Sequence, residues 1–511
     1  MKKRTALAAL AAIAMTAVTA CTASTSDGQG AGDVRIGQEY DLGTLDPAVL
    51  TSVGDRQMTA NLFEGLVRYK LGGVDVGPGL ATEWSHNTKG TSWTFKLRQG
   101  VPFQKGYGEM KAGDVAFSLK RILSKELASP NAALLGSVKD VKAEGDYTVV
   151  IDLDKPDPSL TDKLASWYTG IVSEKAVTEK GDKFAHDPVG TGPYQFDHWT
   201  QGQETVLTAN DAYWGGKPKL GRVIYKAIPD VTTRNNAFQA GEIDIIQVTD
   251  PDILARYKSD SKFQISPVPG LITRFFGMNS ENKPFDDARV REAVSLAIDR
   301  PAMLDGIFKG ISEPAAGILS PEVKHAKKGI IDYRHDPARA KQLLSEAGYP
   351  NGVDVTFSVP NVDRFSRPAT VIQQDLAKVG IRVKIRIMET QSLLAALASD
   401  KGLQMFILSR GQDPTPDRVL SGWFGSSGIP ANNWARIKDN DVDEWLAQAG
   451  ATLDETKREE LFGKVQQRVA DGNYYYYIDH EQFIFALQPA VKGFVGDPQR
   501  SIRLDNVSIA K

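Results

Sequence analysis

Apolar residues recur with period two in some stretches of the chain and at helical spacing in others, and the change between the two marks its elements. Val353-Asp354-Val355-Thr356-Phe357-Ser358-Val359 and Ile381-Arg382-Val383-Lys384-Ile385-Arg386-Ile387 alternate, so each predicts a strand with one buried face. Between them, Pro368 to Val379 reads as a helix stopped by Gly380. Strand, helix and strand in succession predict a βαβ unit and a parallel pair, because parallel strands need a crossover of that length. Tyr147 to Leu153 also alternates, and Asp114 is a candidate N-cap for a helix from Val115 to Leu123. Asp286-Asp287 can cap a helix that places Val290, Ala293, Val294, Ala297 and Ile298 on one face, and Asp336-Pro337 opens another that ends at Gly348. The charged stretch Leu453 to Ala470 reads as a surface helix with Leu461, Val465 and Val469 inward.

Turn signals are densest between Asp187 and Ile246. Asp187-Pro188-Val189-Gly190-Thr191-Gly192-Pro193-Tyr194 forces a tight turn and predicts a strand pair after it, including Thr205 to Ala209. Asn210-Asp211-Ala212-Tyr213-Trp214-Gly215-Gly216-Lys217-Pro218 breaks the pattern before Val223-Ile224-Tyr225 resumes it, so this region reads as the sheet of a central domain. Val34 to Gly37 is a further short strand. Phe263 to Met278, with Pro267, Pro269 and Gly270, suits a strand crossing between packing units, and Tyr474 to Ile478 would carry the chain back.

A chain of 511 residues predicts two to four such units. Its net charge of -2 comes from interspersed charges of both signs, which excludes a polybasic field for nucleic acid. The first residues change the picture: Lys2-Lys3-Arg4, an apolar run from Ala6 to Val18, then Val18-Thr19-Ala20-Cys21 form a three-part secretory signal whose apolar run is short for a membrane span. Cys21 is the single cysteine, so no intramolecular disulfide is available, and Val18-Thr19-Ala20-Cys21 resembles a bacterial lipobox with Cys21 as the lipidated residue. Thr22 to Gly32, rich in Ser, Thr, Gly and Ala, then reads as a flexible tether. No nucleophile-elbow, zinc-helix or P-loop motif is present, and the six histidines include no i, i+4 pair, so neither a catalytic site, nor a metal cage, nor a cofactor is expected.

Several motifs fall in one order: Leu45-Asp46-Pro47, Asn61-Leu62-Phe63-Glu64-Gly65-Leu66-Val67, Pro78-Gly79-Leu80-Ala81, Trp93-Thr94-Phe95-Lys96-Leu97-Arg98, the Gly-Thr-Gly-Pro turn, and Val290-Arg291-Glu292-Ala293 through Ala297-Ile298-Asp299-Arg300. In that order they resemble the peptide- and nickel-type extracytoplasmic solute-binding proteins, family 5, of bacterial ABC importers. The resemblance implies an α/β, two-lobed, periplasmic-binding-protein-like fold with an extra N-terminal subdomain. On it, residues 1–20 are a lipoprotein signal peptide and 21–32 the tether. Residues 33–50, 182–268 and 482–511 form lobe I, 51–181 the accessory subdomain and 269–481 lobe II. It implies a monomeric, extracytoplasmic lipoprotein that captures an oligopeptide or peptide-like solute and delivers it to separate permease and ATPase subunits. Other solutes (a chelated metal, an opine, a sugar), or a sensory receptor without transport, are alternatives within the same architecture.

Family members that bind peptides carry Trp-x-x-Asp-x-x-Asp/Glu-Pro, whose first acid takes the ligand's α-ammonium. The equivalent run here is Ile407-Leu408-Ser409-Arg410-Gly411-Gln412-Asp413-Pro414, with an arginine in place of that acid. A guanidinium cannot pair with an ammonium, and its planar fork suits a carboxylate or phosphate. Arg410 therefore meets an anionic group of the solute, or else pairs with Asp413 or Asp417 or faces solvent. The resemblance adds Thr51 and Val53 along the ligand backbone and Arg367, before the helix at Pro368, for a ligand carboxylate. Asp413, Trp423, Asn433, Tyr477, His480 and Glu481 complete the candidate set, the aromatic ones being equally suited to core or hinge packing.

Overall fold

The computed structural model describes residues 32–399 and 402–510. The signal segment, Cys21 and all but the last residue of the tether lie outside the described residues. Eleven strands share one sheet, numbered here along the chain: β1 (Gly32–Gln38), β2 (Tyr194–Thr200), β3 (Glu204–Ala209), β4 (Leu220–Ala227), β5 (Ile245–Val248), β6 (Gln264–Met278), β7 (Ser312–Pro314), β8 (Val353–Pro360), β9 (Ile381–Met388), β10 (Met405–Gly411) and β11 (Tyr475–Leu487). Their order across the sheet is β9-β8-β10-β6-β11-β5-β1-β4-β3-β2, with β7 beside β11. The expected parallel pair is β8 and β9, with Val353 opposite Ile381, and the expected hairpin after the glycine-rich turn is β2 and β3. A separate antiparallel sheet is built from Ala81–His86, Ser92–Leu97, Thr148–Leu153 and Val138–Ala143.

β6 and β11, fifteen and thirteen residues long, run antiparallel through the middle and join the two ends of the large sheet. Their pairing is interrupted between Pro269 and Thr273. There the backbone of Leu271 turns away, its N–H donating to the Pro498 carbonyl at 3.1 Å and its carbonyl accepting from Gln412 N–H at 2.7 Å. Separate apolar clusters lie on either side of this crossing, one around Leu62, Leu160 and Tyr194 and another around Phe275, Trp423 and Tyr475.

The helices include α1 (Val53–Leu62), α2 (Ala112–Leu123), α3 (Asp363–Lys378), α4 (Pro416–Phe424) and α5 (Glu455–Asp471). Asp287 and Asp336 cap their helices as expected, accepting from Arg289 N–H and Arg339 N–H at 2.9 Å each, and Leu461, Val465 and Val469 are the buried side of α5. Two boundaries need correction. α2 begins at Ala112, and Asp114 sits inside its first turn with its carboxylate accepting from Lys111 N–H at 3.0 Å. α3 begins at Asp363, so Pro368 lies within it and not at its start. A proline there removes a donor from the carbonyl four residues back. That carbonyl, of Arg364, accepts instead from the buried Arg274 guanidinium of β6 at 2.9 Å.

The Gly190-Thr191-Gly192 turn, the Asn61 to Gly65 segment and Tyr213-Trp214 meet at one buried carboxylate. Glu64 accepts from Thr191 Oγ1 at 3.0 Å, Tyr213 Oη at 2.9 Å and Trp214 Nε1 at 2.7 Å. Burial raises its pKa, opposed by these three donors. A Cβ on Gly190 would stand 2.2 Å from the Leu62 carbonyl oxygen, so only glycine allows the turn to reach the end of α1.

Candidate functional site

A cleft of about 510 Å³ opens between the two apolar clusters. Val53 and Arg56 from the first turn of α1 line one side, with the 155–168 segment, including Trp167 and Tyr168. Asp413 and the N-terminal half of α4 line the other, and Leu271, Ile272 and Arg500 close the back. α1 starts where it does because Ser52 Oγ accepts from Asp55 N–H at 3.1 Å, which directs the first helical turn at the cleft.

Every carboxylate on the cleft wall is already paired. Asp157 meets Lys163 at 2.5 Å, Asp162 meets Lys324 at 2.5 Å, Asp413 meets Arg418 at 2.6 Å and Asp417 meets Arg458 at 2.7 Å. Among the described residues, Arg56, Lys155 and Arg500, which also line the cleft, have no ion-pair partner. Arg500 donates instead to the neutral Gln247 Oε1 at 2.7 Å. On the cleft surface the unpaired ionised groups are thus cations, with the Asp497 carboxylate buried near Arg56.

Arg410 does not line the cleft itself; it is 9 % exposed and precedes Gly411 and Gln412, which do. Its guanidinium carbon stands 3.2 Å from the centre of the Trp434 ring and 4.8 Å from that of Trp423. Among the described residues neither Nη1 nor Nη2 has a hydrogen-bond partner, and burial pushes the pKa down to about 10. Two stacked indoles return about 2 kcal/mol or somewhat more each when desolvated. Burying the ion costs several kcal/mol, and unmet donors add about 1–3 kcal/mol. Stacking alone leaves Arg410 undercompensated. The two acids that could have neutralised it, Asp413 and Asp417, are held by Arg418 and Arg458.

The other candidates separate clearly. Val53 and Asp413 line the cleft. Thr51 is exposed one residue before the α1 cap. Trp423 flanks Arg410, and the buried Tyr477 hydroxyl, without a partner among the described residues, feels the Arg410 charge. Asn433 is fully buried, its amide donating to the Gly425 and Ile437 carbonyls at 3.0 and 2.8 Å. His480 and Glu481 lie on β11, where His480 Nδ1 meets Thr273 Oγ1 at 3.0 Å and Glu481 approaches Arg274 at 3.4 Å. Arg367 is exposed on α3, its charge acting on Asp252. Sequence reasoning missed Arg56, Arg500, Trp167 and Tyr168. The first stands three residues beyond Val53, a helical neighbour on the same face, and was within reach of that spacing.

A profile of the family described as bacterial extracellular solute-binding proteins, family 5 Middle, matches residues 75–431. The heme-binding protein A of Haemophilus influenzae is 30% identical over 486 residues, which cover 89% of this chain and 88% of that protein. The dipeptide-binding protein of Escherichia coli is 29% identical over 491 residues, covering 88% and 89%. In three dimensions the chain matches the periplasmic binding protein DppA of Helicobacter pylori, solved in complex with the peptide STSA, with a TM-score of 0.78 and 27% identity across 94% of this chain and 98% of that one.

Proposed function

Because the chain belongs to the bacterial extracellular solute-binding proteins, family 5, a family of two-lobed binding proteins and not of enzymes, we propose that it is the lipid-anchored receptor of an ABC importer for an oligopeptide or peptide-like solute. The observation that carries this is the cleft itself: about 510 Å³ between separately packed walls, joined at the back by β6 and β11. Relatives named for a dipeptide and solved with a peptide support the solute class.

In this proposal 33–50, 182–268 and 482–511 form lobe I, 51–181 the accessory subdomain and 269–481 lobe II, with β6 and β11 as the hinge. Cys21 carries the lipid, the tether 21–32 holds the body off the membrane, and the closed monomer is what the permease recognises. A ligand shifts such an equilibrium only by its differential affinity for the closed state, so open and closed forms must lie within a few kcal/mol of one another. Among the described residues no helix is long and apolar enough to cross a membrane.

Small-angle scattering with and without the solute that co-purifies, identified by mass spectrometry, tests the receptor reading. Compaction on binding is expected, and an unchanged radius of gyration at saturation would refute closure. For the anchor, Cys21→Ala should move the protein from the membrane fraction to the soluble one.

A further inference from the structure

We propose that the Nη1/Nη2 fork of Arg410, with the Tyr477 hydroxyl beside it, is a subsite for a carboxylate of the solute, and that the solute is a net anion. This rests on the receptor reading above and names its substrate class. Three observations converge. The fork is buried, unpartnered and fixed in one plane by Trp423 and Trp434, so its free edge is preorganised for a bidentate oxyanion. The Tyr477 hydroxyl is a second buried donor without a partner. Among the described residues, the cleft lined by the adjoining Gly411 and Gln412 holds Arg56, Lys155 and Arg500 without an ion pair, while each of its four aspartates is occupied by a lysine or arginine.

An incoming ammonium would find no uncommitted carboxylate on this wall and would face a guanidinium. A carboxylate reaching Arg410 restores the counter-charge that burial demands.

Two pools of synthetic di- to pentapeptides test this on the signal-less protein. One pool is N-acetylated with a free carboxylate, and the other has a free amine and a C-terminal amide. Bound species are read by native mass spectrometry. Wild type should retain the acetylated pool, and Arg410→Gln should weaken that binding by about tenfold or more. Retention of the amidated pool with rejection of the acetylated one would overturn the anionic subsite and leave the peptide receptor standing. Retention of neither would overturn the peptide receptor itself.

A second variant separates a hook from a packing piece. Protein unfolded and refolded to strip its solute should melt no higher as wild type than as Arg410→Met, because the unpaired charge is then removed. A clear fall in the melting temperature of Arg410→Met would make the guanidinium a structural stacking element and overturn the proposal, as would binding of the acetylated pool by Arg410→Gln within twofold of wild type.

Discussion

Ser159→Ala should open the cleft without touching its solute. Ser159 Oγ donates to Asp417 on α4 at 2.6 Å and lies 3.3 Å from the Arg458 guanidinium of α5, whereas its neighbours Leu160 and Leu164 pack into the cluster on the opposite side of the cleft. The Asp417 to Arg458 pair stays within its own side, with the Arg458 side chain only 3 % exposed, and survives the substitution. Two hydrogen bonds across the cleft are lost: the one donated to the Asp417 carboxylate, worth about 1.5–3 kcal/mol, and the longer one accepted from the Arg458 guanidinium, which adds to it. In the open form both groups are hydrated, so the loss falls on the closed form, and the lower end of that range applies because Lys324 and Asp162 still bridge the gap at 2.5 Å. Apparent affinity scales with the fraction of molecules able to close. A shift of about 1.5 kcal/mol therefore weakens binding by roughly tenfold. Calorimetry of the co-purifying solute measures this, and scattering of the unliganded protein should show a larger mean radius. Affinity within twofold of wild type, or a loss matched by a fall of several degrees in melting temperature, would refute the latch.

Three further outcomes rest on single sites. Burial, with the Arg300 charge nearby, lowers the His480 pKa from 6.5 to about 4, so the ring is neutral when folded and takes up a proton on unfolding between those values. Its contribution is fully present above pH 6.5 and is lost as pH falls through 4. Wild type should lose up to about 3 kcal/mol relative to His480→Asn between about pH 7.5 and 4 in denaturant titrations, and parallel pH profiles would refute the assignment. Gly190→Ala should cost more than about 2 kcal/mol, because its Cβ would meet the Leu62 carbonyl at 2.2 Å and the Phe63 ring at 2.7 Å. Chemical denaturation that finds it within about 0.5 kcal/mol of wild type would show that the turn can move. Arg367→Ala should leave solute affinity within twofold, since its side chain is exposed on α3; a tenfold loss by calorimetry would place it at the cleft after all.

The strands and several helix starts were legible because their signals are local: alternation in Val353 to Val359, Asp287 and Asp336 before their periodic runs, Gly380 after α3. α3 itself was misplaced for a non-local reason. Proline normally opens a helix, and here it is tolerated inside one because Arg274, ninety residues earlier, fills the vacant carbonyl at 2.9 Å. The site shows the same division. Val53 and Asp413 could be found beside motifs, while Trp167, Tyr168 and Arg500 come together only in the folded chain. Asn433 and Tyr477 are residue types that serve core and cleft equally. The motifs with the strongest family likeness meet at Glu64, beneath the surface. They specify a scaffold that many solutes can share, while Arg410, where the pattern breaks, is the position that differs in chemistry.

The interruption of the β6 ladder between Pro269 and Thr273 carries a kinetic consequence. Sheets flex most readily where their hydrogen bonds lapse, and Leu271 and Ile272, inside that gap, also line the cleft. With the hinge proposed above, the pivot and part of the cleft surface are the same residues. In such a receptor, dwell time and selectivity are not independent variables: a substitution at Leu271 or Ile272 that improves fit to a new solute also resets how fast the lobes part. Adaptation to a new nutrient at these two positions would change the rate of hand-over to the transporter in the same step.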